Sequence, residues 1–411
     1  MRERVKTILL FFLVFSSLFM TQKLWMQLPS QFLTNISTNE DFSASYALSD
    51  MITPSKYLLN FGNKNHTILN YESQHSIWEN SRAIISNILG ADSTTIKEIS
   101  KDQYLNFQEE RSLVLYLPEP INTYILAKTW NVKTPNNIAD AIPNINEIYI
   151  YLGNEDPFFV FSDKTKFIMV QDKSINNTLL KDDLIQIEEP RNYNKYFSMR
   201  EAYKIENDIY IPIEMNTTMP AVYVNNVISI LEEGAKRQIA ERFFDRGIDY
   251  IREIVESNGS TIYVLNNKSL KLNVNGTLEY FQPLEERIVE RNLYTSLSTV
   301  ADFITQKTST QKGMYLSSIE EIESDFNQGY RLTFKYRIRG IPVLLGNRDV
   351  EDYIQIEVFN NHIRSYKELL RREMELGLNT PFDNRPILSP YDVLDKNYPF
   401  LEKEYLSLNN S

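Results

Sequence analysis

Residues 262–280 read Ile262-Tyr263-Val264-Leu265-Asn266-Asn267-Lys268-Ser269-Leu270-Lys271-Leu272-Asn273-Val274-Asn275-Gly276-Thr277-Leu278-Glu279-Tyr280. Leu270, Leu272 and Val274 alternate with polar residues at the period of a half-buried strand. Asn275-Gly276, set between two such runs, is the strongest short-range hairpin signal. The stretch is therefore a three-strand antiparallel meander with one apolar face, and that face must be covered. A helix over 226–244 precedes it, with Val227, Leu231, Ala235, Ile239 and Phe243 at four-residue steps.

After Pro283 the plan starts again. The spacing of Leu284, Ile288, Leu293, Leu297, Val300 and Ile304 predicts a long amphipathic helix, followed by strands at 330–338, 341–345 and 353–358. Val274-Asn275-Gly276-Thr277-Leu278-Glu279-Tyr280 and Val358-Phe359-Asn360-Asn361-His362-Ile363-Arg364-Ser365-Tyr366 each read as strand end, Asn-rich turn, apolar residue, tyrosine. Two readings fit this similarity, an internal duplication of a helix-plus-meander unit and chance. A last helix is expected at 367–376, stopped by Gly377 and Pro381, before an acidic tail.

Upstream, a helix near 76–89 and strands at 113–117, 148–152, 158–161 and 166–170 alternate, the first strand ending at Pro118 and Pro120. The fold class is thus α+β: an N-terminal transmembrane helix, a mixed α/β domain, then two duplicated helix-plus-antiparallel-meander domains. The expected domains are 1–30 (cytoplasmic tip and anchor), 31–200, 201–283 and 284–411, with 31–55 a polar stalk. Tyr193, Tyr196 and Phe197 crowd the polar linker at 188–203, where they either pack onto neighbours or face a protein partner.

The chain has 411 residues, 42% hydrophobic and 24% charged, which places it among folded globular proteins. Its formal charge is −11, and an acidic body repels phosphate backbones, so nucleic acid is excluded as a partner. No cysteine occurs, which removes disulfides, thiolate catalysis and cysteine metal sites. Asn216-Thr217-Thr218 and Asn258-Gly259-Ser260 are glycosylation-type triplets that an Asn-rich chain produces by chance.

Arg2, Arg4 and Lys6 precede an uncharged run from Thr7 to Gln22. Such a run is either a cleaved signal peptide or an uncleaved anchor. No small-x-small cleavage site follows Met20, Lys6 and Lys23 flank the run, and Trp25 suits the interface, all of which favour the anchor. The positive-inside rule leaves the N-terminus in the cytoplasm and the body outside the cell membrane. Leu13, Ser16, Ser17 and Met20, with Trp25, form the candidate contact stripe for a neighbouring helix; the other reading is a plain anchor facing lipid.

Chemistry-bearing motifs are scarce. Of three histidines, His66 and His75 are expected as surface side chains and His362 as a turn residue. Gly-x-Ser-x-Gly, Walker and Gly-x-Gly-x-x-Gly patterns are absent, as is calcium-loop spacing. Acidic pairs such as Glu188/Glu189, Glu320/Glu321 and Asp182/Asp183 read as solvated faces. No catalytic, metal or cofactor-binding residue is assigned, and no enzyme activity or cofactor is expected.

The opening Arg2-Glu3-Arg4-Val5-Lys6-Thr7-Ile8-Leu9-Leu10, with Leu24-Trp25 after the apolar run, resembles the start of the YycH family, regulators of the WalR/WalK two-component system of low-GC Gram-positive bacteria. Tyr336-x-x-x-Gly340-Ile341-Pro342-Val343, then Ile354-x-Ile356-x-Val358 and Ile363-x-x-Tyr366, resembles the last domain of that family, a unit similar to YycI. The segment Met26-Gln27-Leu28-Pro29 departs from the aromatic-Gln-Pro pattern expected there. The resemblance implies a non-enzymatic regulator that contacts a WalK-like sensor histidine kinase through its membrane helix and outer domains, together with a YycI-like protein. Two alternatives stand: a membrane-anchored binding module for a cell-envelope ligand, and an envelope hydrolase with two carboxylates facing across a cleft.

Overall fold

The computed structural model describes residues 48–374, apart from short stretches of which 70–74, 205–208, 214–222, 309–312 and 346–351 are the longest, and residues 392–394 and 396. The expected anchor, with Leu13, Ser16, Ser17, Met20 and Trp25, lies outside the described residues, as does the acidic tail beyond 396. Among the described helices none is long and apolar enough to cross a membrane. The described chain is mixed α+β, built on two large antiparallel sheets.

The first sheet contains β1 (Lys56–Gly62), β2 (Asn65–Leu69), β3 (Thr95–Ile99), β4 (Ser112–Asn122), β5 (Asn144–Tyr151), β6 (Phe158–Ser162), β7 (Phe167–Gln171), β8 (Tyr196–Ser198) and β9 (Tyr210–Pro212), in the order β3-β7-β6-β5-β4-β1-β2-β8-β9. Its central strands read as unbroken apolar runs because both faces are buried. Leu113, Leu115 and Leu117 join the main core, while Val114 and Tyr116, one step out of phase, join a second aromatic layer with Tyr149, Tyr151 and Phe158. Short α1 (Leu48–Met51) leads in. Helix α2 (His75–Gly90) supplies Ile77, Trp78, Ile85, Ile88 and Leu89 to the main core, and α3 (Lys101–Phe107) supplies Tyr104 and Phe107 to the aromatic layer. The remaining helices here are α4 (Thr123–Thr129), α5 (Ile138–Ala141), α6 (Thr178–Glu188) and α7 (Met199–Tyr203).

Pro118 and Pro120 do not end the strand. Pairing of β4 with β1 stops at Tyr116, and pairing with β5 breaks there and resumes at Ile121↔Ile145, so the prolines occupy the gap where no ladder donor is needed. The boundary expected at 200/201 falls within α7, and β9 is still an edge of the first sheet.

The second sheet is preceded by β10 (Tyr223–Asn226), a 3-10 turn at Ile228–Ile230 and α8 (Glu233–Phe244), where one long helix is expected from the sequence. Then come β11 (Arg252–Val255), β12 (Thr261–Leu265), β13 (Lys268–Leu272) and β14 (Thr277–Phe281), next α9 (Leu293–Lys307), and finally β15 (Met314–Ser324), β16 (Asn327–Ile338), β17 (Ile341–Pro342), β18 (Ile354–Phe359), β19 (His362–Leu369) and β20 (Arg371–Met374). The order is β11-β12-β13-β14-β19-β18-β16-β15, with β17 on β16; β20 pairs β10 separately. Each four-strand meander follows its own helix, but the two units share one sheet across β14 and β19 rather than forming separate bodies split at 283/284. Tyr280 lies opposite Tyr366 in that pairing, so the two similar segments of sequence meet about a local two-fold axis. Over the axis Phe243 of α8 packs on Tyr280 and Tyr366, at 5.5 and 5.9 Å between ring centres, and Phe303 of α9 on the same pair at 6.0 and 5.2 Å.

As far as Met374, the last described residue of this segment, the helix expected at 367–376 is replaced by strands β19 and β20. Lys367, Glu368 and Leu369 carry helix propensity, yet β19 is paired on both sides, to β14 and β18, and that ladder overrides it. The two sheets share one apolar core. Arg337 on β16, 1% exposed, donates to the Pro54 carbonyl at 2.7 Å and stacks 3.7 Å over Tyr315, tying the lead-in to β1 onto the second sheet.

Candidate functional site

Three elements of the first sheet's edge converge on a groove. The β1–β2 turn is tight, with Asn63 and Lys64 both left-handed at φ 52 and 58. Helix α3 starts at a capping box, Ser100 Oγ accepting from the Gln103 amide while Gln103 Oε1 accepts from the Ser100 amide, which presents Lys101 and Asp102 in its first turn. Helix α7 contributes Arg200 and Glu201 and ends at Lys204, left-handed at φ 61. Together with Leu105 and Glu109 they enclose about 330 Å³.

Arg200 donates to the Leu105 carbonyl at 3.0 Å and stands 3.7 Å from Glu109. Behind the groove His66, 1% exposed, places Nε2 3.4 Å from Glu201 Oε1. Its Nδ1 lies 2.7 Å from Asn60 Oδ1, and Asn60 Nδ2 donates to Ser112 Oγ at 2.8 Å. Since the Asn60 amide donates onward, its oxygen accepts from His66, which puts a proton on Nδ1. Partial burial would raise the Glu201 carboxyl, but its contact with His66 and the charges of Lys64 and Arg200 outweigh that and hold it below the usual range. His66 is thus a buried, doubly engaged side chain, where the sequence suggests a surface one. His362 has Nε2 3.4 Å from the Gln282 carbonyl.

A second polar cluster is sealed beneath α8 and α9. Glu368, 2% exposed, accepts from Tyr366 at 2.7 Å and, more weakly, from Tyr353 at 3.5 Å. Burial pushes its carboxyl up to about 7, against the opposing pull of the two phenols and Arg242. At least one member of each acidic pair is held by an ion pair or hydrogen bond: Glu188 to Arg111 at 2.7 Å, Glu320 to Arg331 at 2.8 Å, Glu321 to Arg291 at 2.7 Å, and Asp183 to Asn80 at 3.0 Å. Among the described residues no three metal-ligating side chains converge.

Tyr336, Ile354, Ile356, Val358, Ile363 and Tyr366, which carry the resemblance near the C-terminus, are all buried in the second sheet's core, so that pattern marks packing rather than a site. Exposed apolar side chains gather instead at the sheet's outer edge, where β11 presents Ile254 and Val255 beside Tyr250. No protein family, curated protein or solved structure matches the chain. The groove was not foreseen in the sequence: its cations come from positions 64, 101, 200 and 204, with no spacing that announces them.

Proposed function

We propose that the chain is a membrane-anchored, extracytoplasmic regulator of a WalK-like sensor histidine kinase, acting by protein contact alongside a YycI-like partner. The uncharged run Thr7–Gln22 between Lys6 and Lys23 supports the anchor. The observation that carries the contact reading is the open β11 edge: Val255 on the strand is 65% exposed, Tyr250 in the turn before it 76%, and among the described residues no strand pairs the outer side of β11. An exposed apolar edge is a template for a strand of another protein, here the kinase's extracytoplasmic part. Regulation then requires only that the bound chain prefer one of the kinase's two states.

The test is capture of the tagged full chain from membranes in non-ionic detergent, with co-purifying proteins identified by mass. Kinase and YycI-like protein are expected together, and Val255→Lys is expected to weaken their recovery. Absence of both, with unchanged output of the kinase's target genes on gene deletion, refutes the reading. A second reading, an envelope-ligand binder on the same anchor, draws its support from the cationic groove.

A further inference from the structure

We propose that the groove between the β1–β2 turn, α3 and α7 binds a phosphate-bearing ligand, held by Lys64, Lys101, Lys204 and Arg200. The volume, about 330 Å³, lies at the lower end of small-ligand sites. Four cations face it, on a chain whose formal charge is −11. Its three carboxylates, Asp102, Glu109 and Glu201, leave the lining one positive charge in excess, and two of them are already engaged, Glu201 by His66 and Glu109 by Arg200. Among the described residues no carboxylate stands within ion-pair distance of Lys64, Lys101 or Lys204; Lys64 acts on Glu201 only from farther off, so the three ammonium groups can turn to an incoming anion.

The residue choice adds an independent argument. The second position of a tight hairpin turn and the left-handed residue closing a helix are both places where glycine is favoured. The chain meets that preference elsewhere, with Gly276 at φ 94 after Asn275. At 64 and 204 it places lysine instead, at φ 58 and 61. Lys164 shares this backbone at φ 76, but of the three left-handed lysines among the described residues two line this one groove. Strained backbone that carries charge into a shared cavity is a mark of function. Ammonium groups act as point charges that suit phosphate oxygens from several directions, and Arg200 adds a planar fork once Glu109 yields to the ligand.

The experiment is calorimetric titration of inorganic tripolyphosphate into the full chain in non-ionic detergent, at low and high salt, with thermal melts of each variant. Wild-type chain binds, and more weakly as salt screens the lysines. Lys64→Gly with Lys204→Gly is expected to weaken binding about tenfold or more while raising the melting temperature, because glycine relieves the backbone as it removes the charge. Lys101→Gln, which leaves left-handed positions untouched, is expected to weaken binding several-fold at unchanged melting temperature. No binding by wild type, or equal affinity in wild type, the double glycine variant and Lys101→Gln, overturns the proposal. Phosphatidylglycerol nanodiscs separate the two sources of phosphate. A site for an anionic lipid headgroup is blocked to tripolyphosphate in those discs but open in phosphatidylcholine nanodiscs, whose choline neutralises the phosphate, whereas a site for a soluble phosphate compound binds tripolyphosphate in both.

Discussion

Replacing Glu368 with Gln removes a carboxyl titration that the second sheet's seam buries. Glu368 lies on β19 opposite Leu278 of β14 and Ile354 of β18, and is 2% exposed. Its carboxyl is pushed from 4.5 up to about 7, with burial as the leading cause. Between those two values the folded chain keeps a proton that the unfolded chain has released. Stability contributed by the neutral acid is therefore fully present below pH 4.5 and is lost as pH rises through about 7. At about 1.4 kcal/mol per pH unit, the interval from 4.5 to about 7 corresponds to about 3 kcal/mol. Glu201 and Glu357, held below the usual range by His66 and by Arg364 with Arg331 against their own burial, run the other way and act only on the acid side.

The measurement is urea unfolding of wild type and Glu368→Gln at pH 5, 6, 7 and 8, followed by the near-ultraviolet dichroism of the tyrosines. Subtracting the variant removes every titration the two chains share. Glutamine keeps an oxygen for the Tyr366 hydroxyl, so the pair should be close in stability at pH 5. By pH 8 wild type is expected to fall behind by about 3 kcal/mol. A gap that stays constant from pH 5 to 8 refutes the reasoning, because it means that the carboxyl ionises in the folded chain as it does in the unfolded one.

Phe243→Ala opens the aromatic cluster over Tyr280 and Tyr366 and is expected to cost roughly 3–5 kcal/mol in urea unfolding. Arg337→Met strips the Pro54 carbonyl of its buried donor, which is expected to cost about 1–3 kcal/mol and to expose residues 48–54 to protease. Deletion of residues 1–30 is expected to move a folded body from the membrane fraction to the soluble one; a secreted native chain beginning after Met20 contradicts the anchor. Ser16→Ile or Ser17→Ile, at equal membrane levels, is expected to shift kinase target-gene output about tenfold, since intramembrane contacts carry roughly 1–2 kcal/mol.

How much of this fold the chain announces depends on burial geometry. The 262–280 meander, one-sided and alternating, is found at Thr261–Leu265, Lys268–Leu272 and Thr277–Phe281, and the helix expected near 76–89 at His75–Gly90. The β1–β2 hairpin was not legible: Tyr57 to Phe61 are all buried, on alternating sides, so the strand shows no alternation in sequence. Long β15 was missed as well. Its outer half alternates weakly, with Glu320, Glu321 and Glu323 exposed at a sheet edge. The groove's cations could not be grouped from sequence because only the β1–β2 turn and the close of α7 bring Lys64 and Lys204 together, and a lysine in a left-handed position looks like any other lysine.

The similar segments ending in Tyr280 and Tyr366 carry the most information and the least legible meaning. In sequence they suggest two copies of a helix-plus-meander unit, each complete in itself. In the fold neither unit closes its sheet: β14 would be an unpaired edge without β19, and Tyr280 is buried by Phe303 from the following helix as well as by Phe243 and Phe244 from its own. An unpaired strand bearing a buried tyrosine is an association hazard, and pairing it with its counterpart in the same chain removes the hazard at both units at once. The same pairing decides what 367–369, where a helix is expected from the sequence, becomes. A helix there would leave β14 and β18 each open on one side, so the segment extends, and Glu368 is carried into the seam where Tyr353 and Tyr366 receive it. The buried acid is thus a consequence of how two similar units are joined, and its proton reports on whether they stay joined.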